Sequence, residues 1–387
     1  MARAVALFSG GLDSSLAILT ILKQGIEVKA LKFLTPFDCD ICHIRLHLYV
    51  SPSPTPPIKG GDNAPQPPLN LRGGEGGVMF PSPLAGEGKG EGYHIFSVAE
   101  RFGFEVKLID LSDKFIKIVK NPKFGYGKNM NPCIDCRILM LKEAKAVMNM
   151  IRADFIITGE VLSQRPMSQR RDTFNLIDRE AGVTGYVLRP LSAKLLKITF
   201  PESKGIINRE MLYGLSGRLR KPQMALAEEL GLTDYPAPAG GCLLTEPNYA
   251  HRLKDLLTYN PAPSMRDIDL LRIGRHFRFS PSCKIIVGRN KDENETIASL
   301  SVNGDYLLKI DGYGSPTTLV TGEITDETIS VAASLCARYS DAKNLFEAEA
   351  IVINWDNTFR LRISPAGSEI VEALRIEKLK NEKIAKA

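Results

Sequence analysis

Two groups of residues in this sequence are of a kind and spacing that could do chemistry. The first is Ser9-Gly10-Gly11-Leu12-Asp13-Ser14-Ser15, which follows the apolar run Ala4 to Phe8 directly. It opens a helical pattern, Leu12, Leu16, Leu19 and Leu22, with Gly25 as the C-terminal cap. Two glycines let backbone amides approach an anion closely, and a helix N-terminus adds about half a positive charge at the same point. Phosphate is therefore the expected ligand. Asp13 is suited to hold Mg²⁺ against the phosphates, and the hydroxyls of Ser9, Ser14 and Ser15 to donate to phosphate oxygens. The lysine of a Walker loop is missing, so transfer of a γ-phosphate is not the expected reaction. The same residues also fit a tight turn in which Ser or Asp caps the helix.

The second group is made of cysteines. Cys133 and Cys136, in Asn131-Pro132-Cys133-Ile134-Asp135-Cys136, stand just before a helix predicted over Ile138 to Ile151. Unsatisfied N–H groups there favour a thiolate or an anionic metal-sulfur centre. Cys242 lies on a glycine turn, Ala239-Gly240-Gly241-Cys242, that could bring a third sulfur to the first two. Three sulfurs suit three irons of a 4Fe-4S cluster, or a persulfide carrier with a resolving thiol. The alternative is a four-thiolate zinc site with Cys39 and Cys42, although His43, His47 and an irregular segment lie just behind that pair. Cys283 and Cys336 read as small buried apolar residues.

The elements that must position these groups follow from the apolar runs. Ala4 to Phe8, Val28 to Thr35, Glu105 to Leu111, Phe155 to Thr158 and Tyr186 to Leu188 read as buried strands alternating with helices, which predicts an α/β fold with an open parallel sheet. Residues 1–191 are assigned to this domain. Ser51 to Gly92 is rich in Pro and Gly without apolar periodicity and is expected to be a disordered insertion, leaving only Val98 to Phe102 of the helix before the third strand. Residues 192–262 form a small basic region with a helix over Lys221 to Leu230, expected to cap the sheet. Lys284 to Val287, Tyr306 to Ile310 and Ala350 to Ile353 predict an α+β domain over residues 263–375, followed by a charged tail, 376–387.

Composition narrows the class of protein. No apolar run approaches the roughly 20 residues that span a bilayer, and Met1 to Phe8 is too short for a signal peptide. No membrane partner is expected, and a cytoplasmic protein with reduced thiols is. With 50 Lys and Arg against 44 Asp and Glu, the net charge of +6 is compatible with a polyanionic partner without requiring one.

The Ser-Gly-Gly-x-Asp-Ser run resembles the signature of PP-loop ATP pyrophosphatases, of the adenine-nucleotide alpha-hydrolase (HUP) fold type. That resemblance implies binding of ATP with Mg²⁺, release of pyrophosphate and transfer of AMP to the substrate. The loop, Asn-Pro-Cys-x-x-Cys, Thr158-Gly159-Glu160 and the later Gly-Gly-Cys together resemble the tRNA 2-thiouridylase relatives of this class, over roughly residues 1–255 apart from the insertion. Thr158 and Gly159 join the nucleotide-binding residues on that basis. Further runs carry the resemblance: Phe124-Gly125-Tyr126-Gly127-Lys128-Asn129-Met130, Gln164-Arg165-Pro166-Met167-Ser168-Gln169 and Arg189-Pro190-Leu191-Ser192-Ala193-Lys194. Lys284-Ile285-Ile286-Val287-Gly288-Arg289-Asn290 is similar to the module that ends NFACT proteins, where Arg289 could offer its guanidinium to phosphate or simply close a polar turn.

The resemblance implies thiolation of a tRNA uridine. ATP activates the base carbonyl, with Asp13, Cys133 and Cys242 as catalytic residues and a sulfur donor protein or sulfide as partner. Cys133, Cys136 and Cys242 are the candidate ligands of an iron-sulfur cluster or zinc. Arg165, Arg170, Arg171, Arg189, Lys194, Lys197, Arg218, Arg220 and Lys221 are candidate phosphate contacts. Two other readings stay open: an amidating enzyme of the same class, and a non-catalytic protein that binds zinc and RNA.

Overall fold

The computed structural model describes residues 1–37, 91–236, 242–355 and 357–377. In the first half, strands β1 (Arg3–Leu7), β2 (Glu27–Leu34), β3 (Glu105–Asp110), β4 (Phe155–Thr158) and β5 (Val187–Leu188) form one sheet in the order β3-β2-β1-β4-β5. Every pairing is parallel. Both faces of β1 are covered, because its apolar residues alternate between two cores. Ala4 and Ala6 face the helices α1 (Leu12–Leu22) and α2 (Glu91–Phe102), through Leu12, Leu16 and Val98. Val5 and Leu7 face α4 (Cys133–Met150), which follows α3 (Ser112–Lys120), and α5 (Arg171–Glu180), through Ile138, Leu141 and Ile177. A fully buried Leu or Ile contributes about 1.5–3 kcal/mol, so the two layers together fix the sheet.

Two expected boundaries move. Helix α4 begins at Cys133, five residues before the predicted start, so both cysteines are inside its first turn. Pro132 explains this: it lacks an N–H and cannot sit in a helix interior, but it can lead into one. Asp135 then accepts from the backbone N–H groups of Lys123 and Phe124 at 3.0 and 3.1 Å, which pins the first turn to the preceding loop. Helix α2 starts at Glu91, well before Val98. Cys39, Cys42, His43, His47, most of the 51–92 segment, Ala239 to Gly241 and the tail from residue 378 lie outside the described residues.

In the basic middle region, α6 (Lys221–Glu229) packs Leu226 and Ala227 onto the α1 side of the sheet. Helix α7 (Pro247–Tyr259) instead joins Phe37 and Phe115 in a separate cluster through Tyr249, Leu253 and Leu256. After α8 (Met265–Leu270), the second half is a six-stranded antiparallel sheet. Its strands are β6 (Arg275–Ser280), β7 (Cys283–Val287), β8 (Tyr306–Ile310), β9 (Thr318–Gly322), β10 (Ala348–Asn354) and β11 (Asn357–Ile363), in the order β11-β10-β8-β9-β7-β6. Helix α9 (Lys291–Ser299) follows β7. Helix α10 (Asp326–Arg338) covers one face with Ala332, Ala333, Leu335 and Cys336, and α11 (Ser368–Leu374) comes last. The chain is thus a mixed α/β protein with a parallel sheet and a separate antiparallel one.

Candidate functional site

The parallel sheet has its topological switch between β1 and β4. From β1 the chain crosses one way to β2, while β4 pairs on the other side. A crevice opens at such a point beyond the carboxyl ends of the strands, where ligands bind in open α/β sheets. Ser9 to Ser15 leaves β1 on one side of it, and Thr158-Gly159-Glu160 leaves β4 on the other.

The loop after β1 is held in a shape few sequences allow. Gly10 has φ +83°, the left-handed region that favours glycine. Gly11 then enters α1 with no side-chain cap on its first N–H groups. Those donors remain available to an anion. Across the crevice, a Cβ on Gly159 would stand 2.5 Å from Asp13 C and Ser14 N, so only a glycine lets the β4 loop pass that close. The hydroxyls divide. Ser14 and Ser15 are buried and donate to Gly11 O at 2.8 and 3.2 Å. Ser9 is exposed, with its Oγ 3.0 Å from Ser14 Oγ.

Asp13 is the residue whose bonding is incomplete. Its Oδ2 accepts from Gln164 Nε2 at 2.8 Å, while Oδ1 is buried with no hydrogen-bond partner. Beneath the loop, the buried Lys32 of β2 donates from Nζ to Ser9 O at 3.0 Å. Uncapped amides, an ammonium below them and an orphaned carboxylate oxygen suit a polyphosphate and its divalent cation. ATP with Mg²⁺ fits these residues.

A buried ion network supports the β4 side. Glu160 Oε2 accepts from Thr158 Oγ1 at 3.2 Å and from Arg189 Nε at 3.1 Å. Arg189 also grips Asp178 with two N–H groups at 2.8 and 3.0 Å, and its guanidinium lies 4.0 Å from the centre of the Phe174 ring. Burial works against the charge, but Glu160 and Asp178 outweigh it and hold the Arg189 pKa up. Arg189 therefore belongs to the interior and not, as expected, to a phosphate-binding surface. Lys194 is engaged by Glu210 and Arg171 by Leu195 O, while Arg170, Lys197, Arg218 and Lys221 are exposed.

The segments that carry the cysteines are tied together by two hydrogen bonds. Asn129 Nδ2 donates to Thr245 O at 2.7 Å and the Met130 N–H to Leu244 O at 3.1 Å. These bonds tie the segment before Cys133 to the one after Cys242. Cys136 and Cys242 pack against the same apolar cluster, around Leu139 and Leu244, and Cys242 Sγ lies 3.7 Å from Phe37 O. Burial pushes the Cys133 thiol up, against the nearby Arg137 and Arg165. Burial, then Arg137, pulls the Arg165 pKa down, while Cys133, Glu160 and Cys242 oppose the fall. Arg165 is thus the cation shared by both thiols, and Arg137 Nε approaches Glu160 Oε1 at 3.5 Å.

The expected metal set finds no support in the geometry. Among the described residues no three His, Cys, Asp or Glu side chains are grouped to hold a metal ion. Cys136 and Cys242 pack against one apolar cluster, while the charges of Arg137 and Arg165 act on Cys133. Three residues at the site escaped the sequence reading: Lys32, Arg137 and Gln164. Lys32 had a signal, a lone lysine inside the apolar run Ala30 to Leu34; Gln164 stood only within a run that carried the resemblance, with no role attached.

The segment Val161 to Gln169 connects the two chemistries. Its residue Gln164 bonds Asp13, and the charge of the adjacent, exposed Arg165 acts on the thiols. Ser163 holds φ +61°, a conformation costing a non-glycine residue about 1 kcal/mol. Its N–H closes the turn onto Gln169 O at 2.7 Å. In the second half, Arg289 bonds Glu293 from Nε at 2.8 Å, and the Gly274 N–H also donates to Glu293 at 3.1 Å. The polar-turn reading of that motif describes what is seen.

Fold and site together define an α/β protein with a glycine loop at the switch point of a parallel sheet, joined to an antiparallel domain. Residues 274–375 match the NFACT protein RNA binding domain. That is less than half of the chain. No curated protein matches it. Among solved structures, the C-terminal part of the fibronectin/fibrinogen-binding protein of Streptococcus suis is 14% identical with a TM-score of 0.25, covering 62% of this chain and 94% of that one. A 4-thiouridine synthetase in complex with RNA and bound ATP is 17% identical with a TM-score of 0.31. That match covers 60% of this chain and 52% of the synthetase, so the chain spans about half its length. NMN synthetase from Francisella tularensis is 11% identical at 0.24, covering 62% and 89%. Likenesses this distant carry no argument. No helix among the described residues is long and apolar enough to cross a membrane.

Proposed function

We propose that the chain is an adenylating enzyme of the PP-loop class that thiolates a uridine of RNA, with tRNA as the substrate class. The observation that carries this reading is the pair Gln164 and Arg165. Of these neighbouring residues of one strained turn, Gln164 bonds the loop carboxylate Asp13, and the charge of Arg165 acts on the thiols Cys133 and Cys242. An enzyme that first activates a carbonyl oxygen and then replaces it with sulfur needs those two sites side by side.

ATP is a substrate here. Asp13 holds Mg²⁺ on the phosphates, while the amides at the start of α1 and the Lys32 ammonium receive the negative charge. The base carbonyl oxygen attacks the α-phosphorus and pyrophosphate leaves, which makes the oxygen part of a good leaving group. Cys133 carries the sulfur as a persulfide loaded by a donor protein or by sulfide and an oxidant. Its terminal sulfur attacks the activated carbon and AMP departs. Cys242 then attacks the Cys133 sulfur, breaks the bridge to the base and leaves a thiocarbonyl on it. The resulting Cys133–Cys242 disulfide is reset by a dithiol reductant. Arg165 and Arg137 favour the anionic sulfur at each stage. No step runs through a metal-sulfur cluster.

The test is product analysis of RNA nucleosides by mass spectrometry, with pyrophosphate release followed in parallel. Asp13→Asn is expected to lower pyrophosphate release at least 100-fold, the scale on which removing a key electrostatic group acts. Cys242→Ala is expected to abolish the thiolated base while RNA-dependent pyrophosphate release continues. Thiolation that survives in Cys242→Ala, or a wild-type protein that releases no pyrophosphate, overturns the reading.

A further inference from the structure

A second polar cleft, of about 390 Å³, lies at the junction of helix α7 with the antiparallel domain. His251, Lys254, Asp255 and Tyr259 line it from α7, Arg278 from β6, and Arg375 from the end of α11. Because an α-helix rises about 1.5 Å per residue, the cleft runs from roughly 6 to 18 Å along α7, measured from the helix start that follows the Cys242 turn.

Its chemistry is cationic and aromatic together. Asp255 is engaged by Arg278, at 2.5 and 3.2 Å, and Arg375 bonds Glu377 at 3.2 Å. Lys254 is exposed and makes no ion pair among the described residues, so its charge is available. The guanidinium of Arg278 lies 4.8 Å from the centre of the Tyr259 ring, and that ring is 46% exposed. A free ammonium beside an exposed aromatic face is the pattern that takes a phosphodiester and a stacked base. One wall of the cleft, with Arg278 and Arg375, falls within the residues that match the RNA binding domain, and the other directly follows the Cys242 turn.

We propose that this cleft is a second RNA contact, in which Lys254 takes a backbone phosphate and Tyr259 a base, so that one RNA bridges the two halves. The proposal rests on RNA being the substrate. It adds where the strand runs once it leaves the thiol site, and why the antiparallel domain is joined through α7.

The experiment is fluorescence anisotropy with the full chain and a mixed-sequence, single-stranded 20-nucleotide RNA, from 50 to 200 mM salt. Lys254→Ala is expected to reduce the slope of log affinity against log salt by about 0.7, as for one lost contact to single-stranded phosphate. Tyr259→Ala is expected to weaken binding roughly tenfold at every salt concentration with no change of slope. Lys291→Ala, an exposed lysine of the antiparallel domain outside the cleft, is the control expected to change neither. A wild-type protein that does not bind this RNA, or cleft variants indistinguishable from the control, overturns the proposal. Binding losses as expected with no thiolated product leave the cleft standing and sink the sulfur-transfer reading, so the two failures are told apart.

Discussion

Each half of the molecule carries a buried lysine inside a strand, Lys32 in β2 and Lys284 in β7. Lys32 reaches the carbonyl of Ser9 beneath an uncapped helix N-terminus, in a crevice where Asp13 keeps an unpartnered oxygen. Lys284 is buried beside Asp255 and Arg278, and burial pulls its pKa down to about 7. The thiols divide the same way. Cys133 and Cys242 are half-buried next to arginine, whereas Cys283 and Cys336 are fully buried in the antiparallel core. Residue type alone does not separate the proposed reacting groups from the packing groups. What separates them is whether the fold leaves open, charged space beside them, and a parallel sheet does so at its switch point.

The largest effect is expected where that open space is held up. Arg189 neutralises Glu160 and Asp178 in the interior under the β4 loop. Arg189→Met leaves Asp178 without its cation and Glu160 with Arg137 alone, which costs about 3–5 kcal/mol. The thermal transition of the parallel half, followed by far-UV circular dichroism, should fall by many degrees. Trp355, the one tryptophan in the sequence, stands at the end of β10 and reports on the other half. An unchanged Trp355 transition would sharpen the contrast between the halves. A Trp355 transition that fell with the first would show them to be one cooperative unit.

How much of this was legible in the sequence depends on how each signal arises. The central parallel strands were readable because both their faces are buried, which writes continuous apolar runs such as Val5 to Phe8, whereas edge strand β3 shows only the alternation of Val106, Leu108 and Ile109. Three strands of the antiparallel sheet were not. Strands β6 and β11 lie at its two edges, where charge is tolerated, and Arg275, His276, Arg278, Arg360 and Arg362 hide their pattern. The third, β9, is only Thr318–Gly322, with threonine at both ends of its apolar pair. At the site, the loop glycines and cysteines announced themselves by type and spacing. The role of Gln164 depends on the left-handed turn at Ser163, which no residue type signals.

A smaller effect is expected at Lys284. An unfolded lysine keeps its proton up to about pH 10.5, while the folded one gives it up near 7. Between those values the unfolded chain holds more protons, so stability rises with pH; below about 7 both forms are protonated and the contribution is flat at its least favourable. Urea unfolding of the antiparallel half, followed at Trp355, should gain on the order of 3 kcal/mol from pH 7 to pH 9.5. Lys284→Met should lose that gain and be the more stable protein at pH 7. A wild-type stability that stays level over this range would remove Lys284 from the comparison, because Asp255 would then be holding its charge in the folded state.

The smallest effect concerns the thiols, and it probes the comparison most directly. Alkylation by iodoacetamide requires the thiolate, and burial holds Cys133 above the ordinary thiol range. At pH 7.5 Cys133 should therefore label more slowly than a cysteine in an unstructured peptide, and its rate should keep climbing past pH 9. Arg165→Ala removes a cation that favours the thiolate and should slow Cys133 a further two- to fivefold, on the order of 0.5–1 kcal/mol for an incompletely buried pair. Cys283 and Cys336 should stay unlabelled until Trp355 reports unfolding, because burial denies them access at any pH. Peptide mapping by mass spectrometry resolves each site. If Cys133 labels as fast as a free peptide thiol, or ignores Arg165→Ala, then Arg165 does not govern it. The arginine would then serve the incoming anion alone, and the link from the nucleotide loop through Gln164 would end short of the sulfur.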